Sequence, residues 1–401
     1  MSAYLDHAAT TPMRPEAIDA MLPFFDERFA NPSGAHRMAR DARRAVDDAR
    51  DVFAALLGAR PGEVVFTSGG TESDNLAVFG AGLGAAPGLT AAHGSTVCSA
   101  VEHHAVLDPV LALGGRTVGV DGAGRLDLDD LGAVLEAEAA RAAAGESAGV
   151  RLVSVMAANN EVGTVQPLAE AADVVRRLAP GAVLHTDAVQ AVCWTDVDEL
   201  VAVADLVSVS AHKFGGPKGV GVLVVRDGVA LAPRQLGGGQ ERGHRSGTQD
   251  VAGIVAAGVA ARSTVDGRAD EVERVAKLRD RLLDGLVASV PGLVETGAVL
   301  GASGPDRRGR VAGTAHVCIE GVESEALLYL LERQDVFASA ASSCSSGAME
   351  ASHVLAAMGV PAELRAGSLR LSLGWSSTDA EVDHALAVIP AAIEHLRGGG
   401  L

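Results

Sequence analysis

Between residues 36 and 57, apolar side chains recur at Ala42, Val46, Ala49, Phe53, Leu56 and Leu57. Spacings of three and four predict an amphipathic helix, and Gly58 supplies its stop. Short runs rich in β-branched residues follow at 64–67, 152–155, 183–187 and 206–210, separated by helical or loop stretches. Such alternation predicts a mostly parallel sheet flanked by helices. The Ala- and Glu-rich stretch 136–149 has helix-forming composition and ends in Ser and Gly, so it reads as a helix running into an exposed loop. The pattern turns polar over 262–270 and then regains helical spacing at Val275, Leu278, Leu282 and Leu286. A domain boundary near residue 262 is the simplest reading, giving an N-terminal segment 1–15, a large domain 16–262 and a small domain 263–401. In the latter, 311–320 and 368–373 read as strands and 352–358 as a helix, an α+β arrangement. No internal repeat is visible.

Composition narrows the class. At 401 residues the chain exceeds a single ordinary core, so two lobes with a cleft are expected. A hydrophobic fraction of 48% with 21% charged residues fits a packed globular protein, and with only 3% aromatics Ala, Val and Leu must build the core. The formal charge of -18 disfavours broad electrostatic binding to nucleic acid. Cys98, Cys193, Cys318 and Cys344 stand far apart without CxxC or zinc-ligand spacing, so no metal site is expected. The start of the chain lacks a signal-peptide pattern, and no stretch is apolar enough to span a bilayer. A cytoplasmic protein with reduced thiols is the expectation.

Five places look like chemistry. Ser68-Gly69-Gly70-Thr71-Glu72-Ser73-Asp74 follows a strand and opens a helix, with Thr71 and Asp74 spaced as a capping box. Free N–H groups beside glycines suit a phosphate, although the segment alone reads more readily as an ordinary strand-to-helix turn. Lys213 lies just past the 206–210 strand and before a Gly-Pro turn, where ligands bind in open α/β sheets. A lysine there is a solvated charge or, desolvated beside a phosphate site, a Schiff-base former for pyridoxal phosphate. That cofactor needs a carboxylate against its ring nitrogen, and Asp187 ends the apolar 183–187 strand; by itself it is also a plausible helix cap. Arg370 alternates with leucines and shares its face with Ser368 and Ser372, as either a rigid two-pronged carboxylate grip or a surface ion pair. Cys344 sits in a run of small residues, an expected mobile loop, whereas Cys98, Cys193 and Cys318 have apolar neighbours and read as core.

In order, Tyr4-Leu5-Asp6-His7-Ala8-Ala9-Thr10-Thr11-Pro12, Asn31-Pro32-Ser33, Thr67-Ser68-Gly69-Gly70-Thr71-Glu72, Glu102-His103-His104-Ala105-Val106, Asn159-Asn160-Glu161-Val162-Gly163, the Asp187 and Lys213 segments, Gly237-Gly238-Gly239-Gln240-Glu241-Arg242-Gly243 and Ser368-Leu369-Arg370-Leu371-Ser372-Leu373-Gly374 resemble the cysteine desulfurases of the NifS/IscS type. These are class V aminotransferase family members with the fold type I of pyridoxal phosphate enzymes. The resemblance spans nearly the whole chain. It implies an α/β large domain with a mostly parallel seven-stranded sheet, a small α+β domain carrying the cysteine loop at about 338–348, and a homodimer.

It also implies roles. Lys213 would hold pyridoxal 5'-phosphate covalently and later move the α-proton, and Asp187 would pair with the ring nitrogen. His103, rather than His104, takes the ring-stacking position. Gly70, Thr71, Ser210 and His212 would bind the phosphate, with Thr248 reaching it from the other subunit. Asn160 and Gln190 would contact the cofactor, and Asn160 and Arg370 the substrate. Cys344 would take sulfur from L-cysteine as a persulfide, release alanine, and pass the sulfur to an acceptor protein for iron–sulfur assembly or thiolation. Three departures bear on substrate and acceptor choice: His7 stands where asparagine is usual, Ser343 where alanine is common, and Trp375 where arginine is frequent. The rivals are selenocysteine lysis, transamination or β-elimination on the same lysine, a catalytically dead sulfur-transfer scaffold, and a dehydrogenase that would lack its glycine fingerprint.

Overall fold

The computed structural model describes residues 2–82, 94–297, 299–301, 304–340, 344–345, 348–349 and 352–398; at 299–301, 304–306, 344–345 and 348–349 the description is of backbone alone. The helix predicted at 36–57 is Arg37–Leu56, with His36 accepting the Ala39 N–H as its cap. Its apolar face packs on a seven-stranded sheet. Across the sheet the order is Val64–Thr67, Gly221–Val225, Leu206–Ser210, Val183–Asp187, Val150–Ser154, Ser95–Ser99 and Arg116–Val118. Gly221–Val225 runs antiparallel to both neighbours, and the remaining pairs are parallel. Both faces are covered by helices, which is why these strands read as nearly continuous apolar runs. Ala, Val and Leu fill most of this core, while Phe53 supplies bulk edge-on to Phe66 and Phe214 at 5.9 and 6.3 Å. Removing that ring would cost about 3–5 kcal/mol.

A second core lies under the three-stranded antiparallel sheet of Leu293–Glu295, Thr314–Ile319 and Ser368–Ser372, backed by helices Ser324–Glu332 and Asp379–Arg397. One 39-residue helix, Val251–Ser289, joins the two cores. Ile254, Ala257 and Ala261 belong to the first, and Val275, Leu282 and Leu286 to the second. Position 262 therefore sits inside a continuous helix; the polar stretch around it is the span between two apolar faces. The N-terminal strand Ala3–Tyr4 pairs in parallel with Val336–Phe337, which brings residues 6–11 across the end of the large sheet. No described helix is long and apolar enough to cross a membrane.

The proposed capping box does not form. Helix Gly70–Gly80 is preceded by Gly69, no side chain caps it, and Thr71 and Asp74 are its second and fifth residues. Because the helix begins earlier than the spacing suggested, its first N–H groups stay open and Asp74 turns into the protein.

Candidate active site

The parallel strands Val183–Asp187 and Leu206–Ser210 end side by side, with Asp187 opposite Ser208. After Ser210 the chain makes a single 3₁₀ turn, Ala211–Lys213, so Lys213 sits at the carboxyl edge of the sheet beside Asp187. The turn closes through Gly215 at φ +87°, where a Cβ would meet Arg14 Cγ at 2.6 Å. Lys213 and Asp187 line one cavity of about 370 Å³ together with Gly70, Thr71, His103, Asn160, Gln190, Ser210, His212 and Arg370. Ten of the sequence-predicted residues thus converge on one place.

Lys213 Nζ donates to the carbonyls of Ala8 at 2.5 Å and Ala9 at 3.0 Å. Burial, and then the charge of Arg370, lower its pKa from 10.5 to about 8. Asp187 accepts the Val189 N–H at 2.8 Å, and burial pushes its carboxyl well above the usual carboxylate range. His103 accepts the Ala105 N–H on Nδ1 at 3.1 Å, which assigns the proton to Nε2; burial, then Lys213, lowers its pKa to about 4. Its neutral ring is therefore free to lie against a flat ligand. His104 faces away and pairs with Asp108 at 2.9 Å.

Gln190 donates to the Ala8 carbonyl at 2.9 Å. Arg370 is 6% exposed and no surface ion pair: Nη1 donates to the Asn160 carbonyl at 2.9 Å, Nη2 to Asp6 at 2.8 Å, and Nε–H has no acceptor. All five residues of its strand are buried, so the leucine and serine faces both lie inside.

The residues present fit pyridoxal phosphate. The open start of helix Gly70–Gly80 offers N–H groups to a phosphate, and a Cβ on Gly70 would stand 3.0 Å from Val189 Cγ2 and 3.5 Å from Ser210 Cβ, filling that cradle. A buried carboxylate, a desolvated amine and the unpartnered Asn160 Oδ1 stand around the remaining space.

The class-V aminotransferase family model matches residues 3–385. An IscS-like cysteine desulfurase of Mycobacterium tuberculosis (strain ATCC 25618 / H37Rv) is 45% identical over 403 residues, covering 100% of this chain and 98% of that protein. This chain belongs to the class-V aminotransferase family, among the NifS/IscS-type cysteine desulfurases. A solved NifS-like protein has a TM-score of 0.83 at 32% identity, covering 98% of this chain and 100% of its own. SspA in complex with cysteine has a TM-score of 0.75 at 28% identity, covering 94% and 100%.

Among the described residues one predicted residue of this NifS/IscS-type chain is not among the cavity's walls, and another has no described side chain. Thr248 is exposed and lies outside the cavity. Cys344 belongs to a two-residue strand, Cys344–Ser345, paired with Ala348–Met349, but its side chain and residues 341–343 and 346–347 lie outside the described residues, as does the expected mobility of the loop. Burial disfavours the thiolate at the other three cysteines, pushing Cys98 far up and Cys193 and Cys318 to about 12.

Sequence reasoning missed Asp6, Asp74 and Glu102. Asp6 stood in a quoted motif without a role, and Asp74 was read as a cap. Glu102, wholly buried, accepts the Met156 N–H at 2.6 Å. Its sequence signal was only an acidic residue before two histidines.

Proposed function

We propose that this chain is a pyridoxal-phosphate-dependent cysteine desulfurase that converts L-cysteine to L-alanine and receives the sulfur as a persulfide on Cys344. The observation that carries the reading is the placement of the buried Lys213 amine, the Asp187 carboxylate and the Arg370 guanidinium around one cavity.

Lys213 is the residue that would hold the cofactor, and pyridoxal phosphate bound there supplies an electron sink for the substrate's α-carbon. Gly70, Thr71, Ser210 and His212 would hold its phosphate, His103 would pack on its ring, Asp187 would hold a proton at its ring nitrogen, and Asn160 and Gln190 would contact it. Arg370 takes the substrate carboxylate with its free N–H groups. With a pKa near 8, Lys213 Nζ is basic enough to accept the α-proton and is neutral often enough to do so near physiological pH. The Cys344 thiolate attacks the substrate sulfur: an S–S bond forms, the Cβ–S bond breaks, and the electron pair left on carbon is protonated to give alanine. The persulfide then passes to an acceptor protein in iron–sulfur assembly or thiolation.

The same reading makes the protein a cytoplasmic homodimer in which Thr248 completes the phosphate site of the other subunit. It also takes 16–262 as the cofactor lobe and 263–401 as the small lobe. The test is turnover of L-cysteine by protein loaded with pyridoxal phosphate, with alanine quantified and thiols mapped by peptide mass. Alanine with one extra sulfur on the Cys344 peptide is expected; no alanine, or sulfur on another cysteine alone, would overturn the reading.

A further inference from the structure

Asp187 has a companion at its end of the cavity. Asp74 is 1% exposed, lines the same space, and its Oδ1 accepts no hydrogen bond. His185 lies two residues before Asp187 on one strand, hence on the same face, and its Nε2 is 3.6 Å from that oxygen. This ring is fully buried, with Nδ1 2.8 Å from Ser154 Oγ and Nε2 3.0 Å from Ser208 Oγ. Burial lowers its pKa to about 3, so it stays neutral and cannot serve Asp74 as a cation. One consistent assignment runs Ser154 O–H to Nδ1, Nε2–H to Ser208 Oγ, and Ser208 O–H to Asp74. The chain of donors ends on the Asp74 carboxylate.

The surrounding charges do not relieve the crowding. Glu102 is a third buried carboxylate, with Oε2 unpartnered. Glu72, on Asp74's own helix, is taken by Arg245. On the neighbouring helix His104–Ala112, His104 and Asp108 pair with each other. Strands Val64–Thr67, Leu206–Ser210 and Gly221–Val225 bring no ionisable group. Lys213 partly offsets Asp187, while burial and then Asp187 itself push the Asp74 carboxyl up.

We infer that Asp74 and Asp187 share one proton in the cofactor-free protein, and that this proton is the one delivered to the ring nitrogen of the cofactor. The inference rests on the function proposed above. One carboxyl O–H breaks and one ring N–H forms, no electrons are exchanged, and two carboxylates are left facing a ring cation.

The test pairs two readouts on wild type and Asp74→Asn: unfolding free energy of the cofactor-free protein against pH, and the dissociation constant of pyridoxal phosphate against pH from its absorbance band. Raised native pKa values give stability that is present at low pH and lost as pH rises through them. The wild type should therefore weaken as pH rises from about 4 through the raised Asp187 value of about 6 and beyond, and the variant should lose Asp74's share of that slope and bind the cofactor about tenfold more weakly above it. Should Asp74→Asn fail to fold, Ser208→Ala keeps both carboxylates but removes the last donor, and should move the midpoint upward. Unchanged pH profiles in the variant that folds overturn the inference. A wild type that binds no pyridoxal phosphate sinks the functional reading instead, and the cofactor-free titration still decides whether the pair shares a proton.

Discussion

Arg370 and Asp6 are joined by a 2.8 Å hydrogen bond between a guanidinium that is almost wholly buried and a carboxylate from the N-terminal segment. With Nη1 on the Asn160 carbonyl, two of the five N–H donors of Arg370 are committed to fixed acceptors, and Nε–H is left open. Asp6 thus orients the fork that, in the proposed function, the substrate carboxylate would meet. It fixes the grip without filling it.

Asp6→Ala should accordingly raise KM for L-cysteine about tenfold while leaving kcat within about twofold, because the guanidinium loses its orientation but none of the reacting groups changes. Steady-state kinetics checks this. A fall in KM would mean that Asp6 competes with substrate and does not position Arg370.

Lys213 should titrate near pH 8 in the cofactor-free protein, since burial and Arg370 disfavour its charged form. The rate of modification by an amine-selective reagent, followed at the Lys213 peptide, measures it. A midpoint above about pH 10, where unperturbed lysines titrate, would contradict the buried placement. In Lys213→Ala, the borohydride-reducible cofactor band should be lost.

Cys344→Ser should keep the cofactor band and its change on adding cysteine, yet lower alanine formation about 100-fold or more, because the attacking sulfur is gone while the binding groups remain. Absorbance and alanine assays separate the two. Full activity in this variant would exclude the covalent sulfur role.

His7 gives an acid-side test of the core. It is buried with Nε2 3.2 Å from Ser377 Oγ, and burial lowers its pKa from 6.5 to about 4. Between those values the unfolded chain binds a proton that the native state refuses, so stability falls as pH drops from 6.5 towards 4. At pH 5 the loss is about 2 kcal/mol. His7→Asn should remove about that much of the difference between pH 7 and pH 5 in urea unfolding. An unaltered difference would mean that the His7 ring titrates normally.

Periodicity and local chemistry were enough for the elements that matter. Helix Arg37–Leu56 follows from its apolar spacing, and the strands ending at Asp187 and Ser210 from their β-branched runs. Boundaries were less legible. The run read as a strand over 311–320 is Thr314–Ile319, and Ser352 caps the short helix His353–Ala357 without belonging to it. The polar residues near 262 looked like a domain boundary because a helix that crosses between two cores must show a wet face midway.

The sequence by itself determined which residues could do chemistry: a lysine and an aspartate at strand ends, an arginine between leucines, a glycine-rich helix start. Those follow from local rules of period and turn geometry. Tertiary structure decided their charges and partners, since Lys213 and His103 owe their lowered pKa values to burial among distant segments, and Arg370 is met by Asp6 from 364 residues away. Asp74 became a cavity carboxylate for the same reason. Desolvation depends on everything packed around a group, and no window of sequence contains that.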